Sequence, residues 1–279
     1  MKSTFDTVSG KASKLVTKEY STSFSLATKM LGTSIRQDIY NIYGFVRLAD
    51  EIVDSFQEYQ QENLFNDFEK QLYQSLEDKI SLNPILNAFQ TTYHKYNLSI
   101  EHVKAFMKSM RADLQKNIYH TKEEYEGYIY GSADVVGLMC LQVFVKGDKE
   151  KFESLKYSAM KLGSAFQKVN FLRDLKEDYE SLGRTYFPNV NLEQLDELSK
   201  QVLIHEIELD FKKGYQGIIK LPKEAKFGVF VAYRYYRQLL KKINKTPALE
   251  IKNTRIRVSD HKKIEVLTRS YVKFQLNML

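Results

Sequence analysis

Tryptophan is absent from this 279-residue chain, cysteine occurs once, and there are only 4 prolines and 12 glycines. The single thiol, Cys140, excludes an internal disulfide framework, and no Cys/His spacing suits a zinc cluster. So little proline and glycine leaves too few turn signals for a sandwich of short strands or a low-complexity linker. Long hydrophobic runs are missing as well. The longest, Val135 to Val145, is broken by Gln142 and is about half of the ~20 residues that a membrane-spanning helix requires. No apolar stretch follows Met1-Lys2-Ser3, so neither a secretory signal nor a membrane anchor is expected. These absences together predict a soluble protein of a reducing, cytoplasmic compartment.

What is present is apolar and helical. Hydrophobic residues make up 43% of the chain and aromatics 13%, far too many for a disordered polymer. Residues 35–54 carry Ile35, Ile39, Ile42, Tyr43, Val46, Ala49 and Val53 at three- and four-residue steps, the period of a helix burying one face. Asn83-Pro84 predicts a capped helix start running to about Tyr96. Thr121 and Glu124 form a capping box ahead of the apolar run 128–145. Asp148 is placed to cap a long helix reaching about Tyr179, and further helices are predicted over 191–219, 223–244 and 259–277. The nearest thing to a strand, Thr254 to Val258, is too short to build a sheet. With no internal repeat and no linker, the expected fold is all-α and single-domain, a helical bundle over 1–279.

Acidic residues are scarce in one region. From Phe211 to Leu279 there are 17 Lys/Arg against 4 Asp/Glu, whereas residues 1–210 hold 25 against 31. The net charge of +7 is therefore a property of the last quarter alone. A basic quarter of this kind suits an anionic surface or substrate, and no nucleic-acid-binding motif accompanies it.

Two acidic ladders carry the chemistry. In Arg47-Leu48-Ala49-Asp50-Glu51-Ile52-Val53-Asp54, Asp50 and Asp54 stand four apart and share a helical face, roughly 6 Å apart along the axis. Like charges at that spacing repel unless a cation lies between them or solvent screens them. Taken alone, the pair reads first as a solvated acidic face, because the pattern is common. The second ladder changes the balance: in Gln167 through Asp178, Asn170, Asp174 and Asp178 recur at strict four-residue intervals, a stripe of oxygen donors suited to a hard divalent cation that shares its shell with phosphate. Arg47 and Arg173 stand ready for bidentate contacts to the same phosphates.

With these ladders, the chain resembles the head-to-head prenyl synthases of the squalene and phytoene synthase family, and within it the bacterial phytoene synthases. Tyr20-Ser21-Thr22-Ser23-Phe24 is similar to the family's S-x-S-F segment, Arg47–Asp54 to R-x-x-D-x-x-x-D, and Gln167–Asp178 to Q-x-x-N-x-x-R-D-x-x-x-D. Met110–Leu114 resembles M-x-x-D-L, Tyr128-Ile129-Tyr130 with Val136–Met139 resembles Y-x-Y…V-G-L-M, Gly183–Pro188 resembles G-R-x-Y-x-P, and Ala232–Tyr235 stands where A-x-x-Y is found. Asp134 departs from the pattern, occupying a position that is usually glycine.

The resemblance implies an isoprenoid synthase-type bundle around a central apolar cavity. It also implies condensation of two prenyl diphosphates, geranylgeranyl diphosphate in phytoene synthases, through a cyclopropylcarbinyl diphosphate. Mg²⁺ (or Mn²⁺) would be held by Asp50, Asp54, Asn170, Asp174 and Asp178, with no nicotinamide cofactor. Tyr130 would act at the reacting centre beside those four aspartates. Ser21, Ser23, Arg47, Gln167, Asn170, Arg173 and Tyr235 would contact substrate. Ser21 and Ser23 read equally as helix caps, and Tyr130 and Tyr235 as buried hydroxyls satisfied by a carbonyl. Phe24, Tyr43, Phe45, Phe166 and Phe171 fall near the motifs, either as cavity wall or as ordinary core. Rival readings are the same chemistry on two farnesyl diphosphates and a non-catalytic relative acting as an assembly factor. An insoluble C40 product would bring the basic quarter to an anionic membrane face, as a peripheral contact.

Overall fold

The computed structural model describes residues 2–188 and 195–276. Each helix start that the sequence marked is capped as its residues dictate. α5 (Pro84–Tyr96) opens with Pro84 at its first position, while the Asn83 side chain accepts from the Ile85 and Leu86 amides. α7 (Lys122–Ile129) is capped by Thr121, which accepts from the Glu124 amide at 3.2 Å. Glu124 returns to the His120 amide at 2.9 Å, one residue earlier than a regular capping box. Asp148 accepts from the Lys151 amide and opens α9 (Lys149–Arg173).

The predicted stripe on α3 (Thr33–Ser55) is buried at Ile35, Ile39, Ile42, Ala49 and Val53. Against it pack α1 (Lys2–Tyr20) and α5. α1 was invisible to the periodicity argument because its buried positions are Ser9, Gly10, Ser13 and Thr17, small polar residues that allow close helix approach instead of forming an apolar stripe. A buried carboxylate, Asp38, ties α3 to α5 by accepting from Lys95, Tyr96 and Thr92.

Two corrections follow. The helix expected to run from Asp148 to about Tyr179 breaks at Asp174 (φ −101°, ψ 10°) into α9 and α10 (Leu175–Leu182). The bonds from the Asp174 amide to Asn170 O and from the Asp178 amide to Asp174 O persist through the break, each at 2.9 Å, so the helical register survives a change of direction. The stretch expected to continue from Thr121 through 145 divides at a π-helical turn, Tyr130–Asp134, before α8 (Val135–Phe144). Lys122–Phe144 taken together is long and apolar enough to cross a bilayer, but half of it is buried against other helices, as in the core of a helical bundle.

Elsewhere, the predicted 223–244 helix is α12 (Lys223–Lys245) and the 259–277 helix is α14 (Asp260–Gln275). The helix expected over 191–219 appears as α11 (Glu197–Ile218); positions 191–194 and 277 lie outside the described residues. Thr254–Val258 is irregular, and among the described residues the only β-type pairing is a single bridge, Ile118 to Thr185. Two large apolar clusters form the interior. One is built on Phe45, Phe65, Phe89 and Phe106, the other on Phe171, Tyr186, Ile207 and Phe211.

Gly131 in the π-turn sits so close to α6 (Ile100–Ala112) that a Cβ there would lie 2.0 Å from Ser109 Oγ and 2.7 Å from the Ala105 carbonyl. Gly131→Ala should therefore lower the unfolding free energy by about 1–3 kcal/mol, the usual cost of overpacking. Urea unfolding would show it as an earlier midpoint, and an unchanged midpoint would contradict it.

Candidate active site

The first ladder occupies the C-terminal turns of α3. Arg47 forks between Asp50 and Glu51, and its guanidinium lies 4.5 Å from the Tyr20 ring. Asp54, the far end of the ladder, is held by Arg184 at 2.6 Å. The second ladder straddles the α9–α10 break. Asn170 Oδ1 accepts from the Tyr236 hydroxyl at 3.3 Å. Asp174 receives the adjacent Arg173 in a bidentate contact and Arg255 Nε at 2.8 Å, while Arg255 also reaches Glu177 at 2.9 Å.

The two ladders lie near enough for their charges to act on one another. Burial, then Asp174, then Asp54 on the opposite ladder push the Asp178 carboxyl up to about 8. Asp50 is raised in the same sense by burial and by Asp54, against Arg47 and Arg184, although a third of its side chain still reaches solvent. Such carboxyls need cations to ionise fully. Among the described residues no three Asp, Glu, His or Cys side chains converge on one point as a closed cage. The protein instead offers oxygens in pairs from facing helices. That donor chemistry suits Mg²⁺, which takes one or two carboxylates and completes its shell with water and phosphate.

Beneath the ladders lies an apolar cavity with about 1290 Å³ of empty space, including the part open to solvent. Stacked rings line it: Phe24 on Tyr43 at 4.5 Å and Phe166 on Tyr236 at 4.0 Å. Of the five aromatics near the motifs, Phe24, Tyr43 and Phe166 are cavity wall, whereas Phe45 and Phe171 are core. Gln167 also faces the cavity. Along its wall Gly137, Gly163, Gly214 and Gly217 let neighbouring helices approach closely, since a Cβ at each would crowd a residue across the contact.

Next to the cavity is a polar recess bordered by Ser21, Ser23, Arg173, Tyr235, Arg255 and Lys263. Phe24 and Tyr236 line both spaces. Ser21 caps α2 (Thr22–Lys29), its hydroxyl accepting from the Phe24 amide at 3.2 Å, and borders the recess as well. Tyr235 is buried and donates to the Lys263 carbonyl. Tyr130 begins the π-turn with 40% of its surface exposed and is not part of the cavity wall.

Three participants lay outside the candidate set drawn from the sequence. Tyr236, one residue past the tyrosine of the A-x-x-Y pattern, is the one that meets the cavity and Asn170. Arg184 sat in plain view within Gly183–Pro188, but nothing in the spacing indicated its partner. Arg255 comes from the irregular segment before α14 and carried no signal at all.

Asp134, the residue at the usual glycine position, ends the π-turn and is buried, accepting from Ser164 Oγ at 2.7 Å. Gly163 permits this approach, because a Cβ there would meet the Ala133 carbonyl at 2.8 Å and Asp134 Cα at 3.2 Å. Burial, opposed by the Ser164 bond and Lys161, pushes the Asp134 carboxyl up to about 7.

Residues 17–262 match the family described as squalene/phytoene synthase. A phytoene synthase of Arthrospira platensis is 28% identical over 278 residues, covering 90% of this chain and 89% of that protein. The chloroplastic phytoene synthase 1 of Zea mays is 28% identical over 249 residues, 82% of this chain, which spans 60% of the length of the maize protein. In fold, a dehydrosqualene synthase solved with a ligand superposes with a TM-score of 0.83 at 23% identity, covering 97% of this chain and 98% of that one. A squalene synthase from Alicyclobacillus acidocaldarius reaches 0.73 at 22% identity, over 85% and 93% of the two chains.

Asp134 also generates a pH test. Pushed up to about 7 in the fold, well above the usual aspartate range, its carboxyl contributes stability that is complete below pH ~4 and is lost as pH rises through about 7. Asp134→Asn keeps an oxygen for Ser164 and removes the titration. The variant should match wild type near pH 4 and exceed it at pH 8 by a few kcal/mol, at about 1.4 kcal/mol per unit. Parallel stability curves from urea unfolding across this range would contradict the assignment.

Proposed function

Since the chain belongs to the squalene/phytoene synthase family, we propose that it is a prenyltransferase joining two geranylgeranyl diphosphates head to head to give phytoene. The observation that carries this reading is the junction at Tyr236, a residue that borders both an apolar cavity and a recess rimmed by arginine, lysine and serine. A prenyl diphosphate has these two halves. The extended likeness to proteins named phytoene synthase favours the C20 substrate.

In this reading Arg173, Arg255 and Lys263 draw the diphosphate into the recess, with Ser21 and Ser23 offering hydroxyl donors. Asp50 and Asp54 on one side and Asn170, Asp174 and Asp178 on the other are the oxygens that would hold Mg²⁺. Bound there, the metal would neutralise charge on the departing diphosphate. The first substrate loses diphosphate to leave an allylic cation. The second substrate's double bond captures that cation, and loss of a proton closes the cyclopropylcarbinyl diphosphate. Departure of the second diphosphate, rearrangement and loss of another proton complete the C40 hydrocarbon. No hydride enters, so no reductant is needed. The paired rings of Phe24–Tyr43 and Phe166–Tyr236 present π-faces that favour a nearby cation, and the apolar wall below them excludes water that would trap it.

The test is incubation of the purified protein with Mg²⁺ and geranylgeranyl or farnesyl diphosphate in separate reactions, followed by product analysis. A C40 hydrocarbon from the first is the expected result. Consumption of farnesyl diphosphate alone would move the assignment to the C30 reaction, and consumption of neither, with detergent supplied, would favour a non-catalytic relative. Asp174→Asn should keep the helical spectrum and lose about 100-fold or more of the turnover.

A further inference from the structure

Arg184 is 4% exposed and carries a fixed charge. Burial alone would weaken its hold on the proton, but Asp113, Tyr186 and Asp54 outweigh burial and raise its pKa. Its contacts reach three parts of the chain. One guanidinium nitrogen donates to Asp54 Oδ1 at 2.6 Å; the other donates to the Val53 and Asp113 carbonyls at 3.3 and 2.9 Å. Its own backbone amide donates to the Asp178 carbonyl at 2.9 Å. A single residue thus grips the end of the first ladder through its side chain and the end of the second through its backbone.

We propose that Arg184 is the positioning residue for Asp54: it holds one carboxylate oxygen, leaves the other free for a cation, and sets the distance between the two ladders. This rests on the metal-binding reading of those ladders. Asp54 lies in the last turn of α3 and, among the described residues, Arg184 is its only ion-pair partner. Without that partner, the side chain of Asp54 would be free to rotate towards solvent. A simple strut would need only the bonds to the Val53 and Asp113 carbonyls, which would hold the backbone whatever Asp54 did.

The two roles separate in a double-mutant cycle read by metal binding instead of turnover. Mn²⁺ is titrated into the full-length protein with saturating inorganic pyrophosphate, and free Mn²⁺ is followed by electron paramagnetic resonance. The proteins compared are wild type, Arg184→Lys, Arg184→Met, Asp54→Asn and the double variant Arg184→Met/Asp54→Asn. Loss of a group that orients a metal ligand typically weakens binding about 10–100-fold, and that is expected for Arg184→Met, with Arg184→Lys intermediate. Because Arg184 acts through Asp54, the double variant should bind within about 2-fold of Asp54→Asn alone. Additive losses, or wild-type binding by Arg184→Met, would overturn the proposal. If circular dichroism shows Arg184→Met unfolded, the cycle is read with Arg184→Lys under the same criteria. A wild-type protein that binds no Mn²⁺ with pyrophosphate would remove the metal reading itself, whereas wild-type binding with indifferent Arg184 variants would remove only the role given to Arg184.

Discussion

Repulsion among carboxylates is the constraint around which the rest of this molecule is arranged. Asp50, Glu51 and Asp54 lie in the last turns of α3 and Asp174 closes α9, so they sit at helix ends where the backbone dipole already places partial negative charge. Asp174 also stands at the start of α10, and Asp178 lies in that helix's first turn, so both gain from its N-terminal end. Burial deepens the conflict, because each carboxylate raises the cost of ionising its neighbours. Four arginines answer it: Arg47 on Asp50, Arg184 on Asp54, and Arg173 with Arg255 on Asp174. The arginines differ in freedom. Arg184 is sealed in, whereas the Arg255 side chain keeps 40% exposure, so a change of partner at the mouth would fall to Arg255 at little cost to packing.

The break at Asp174 serves the same constraint. A straight helix through Asn170, Asp174 and Asp178 would project all three from one line. Turning the axis at Asp174 while keeping both flanking backbone bonds lets Asp178 feel Asp54 on the opposite ladder without leaving the second ladder. The π-turn at 130–134 joins α7 to α8, and Ser132 and Ala133 from that turn are cavity wall.

Local chemistry was legible in the sequence, and long-range partnership was not. Asn83, Thr121 and Asp148 announced their helices because a cap is satisfied within three residues. The α3 stripe was legible for the same reason, though Tyr43, periodic with its buried members, turns to the cavity, and Val46 borders both cavity and core. The break at Asp174 escaped notice since oxygen donors at four-residue spacing persist through it. α1 escaped because helices packed through Ser, Gly and Thr show no apolar period. Arg184 meets Asp54 across 130 positions, a separation over which neither periodicity nor capping carries information. The family motifs compensated in part, bringing Gly183–Pro188 to attention without saying what its arginine touches.

The charge imbalance of the last quarter takes on a different meaning once the fold is known. Its 17 basic residues against 4 acidic ones suggest a face for an anionic partner, but several are turned inward on the chain itself. Arg255 neutralises Asp174 and Glu177, and Lys263 lines the recess with Arg255 and Arg257 while bonding Thr22 across to α2. The basic quarter thus contributes one partner to the ladders: Arg255, from the segment before α14, joins Arg47, Arg173 and Arg184 of the first 210 residues against the carboxylates of α3, α9 and α10.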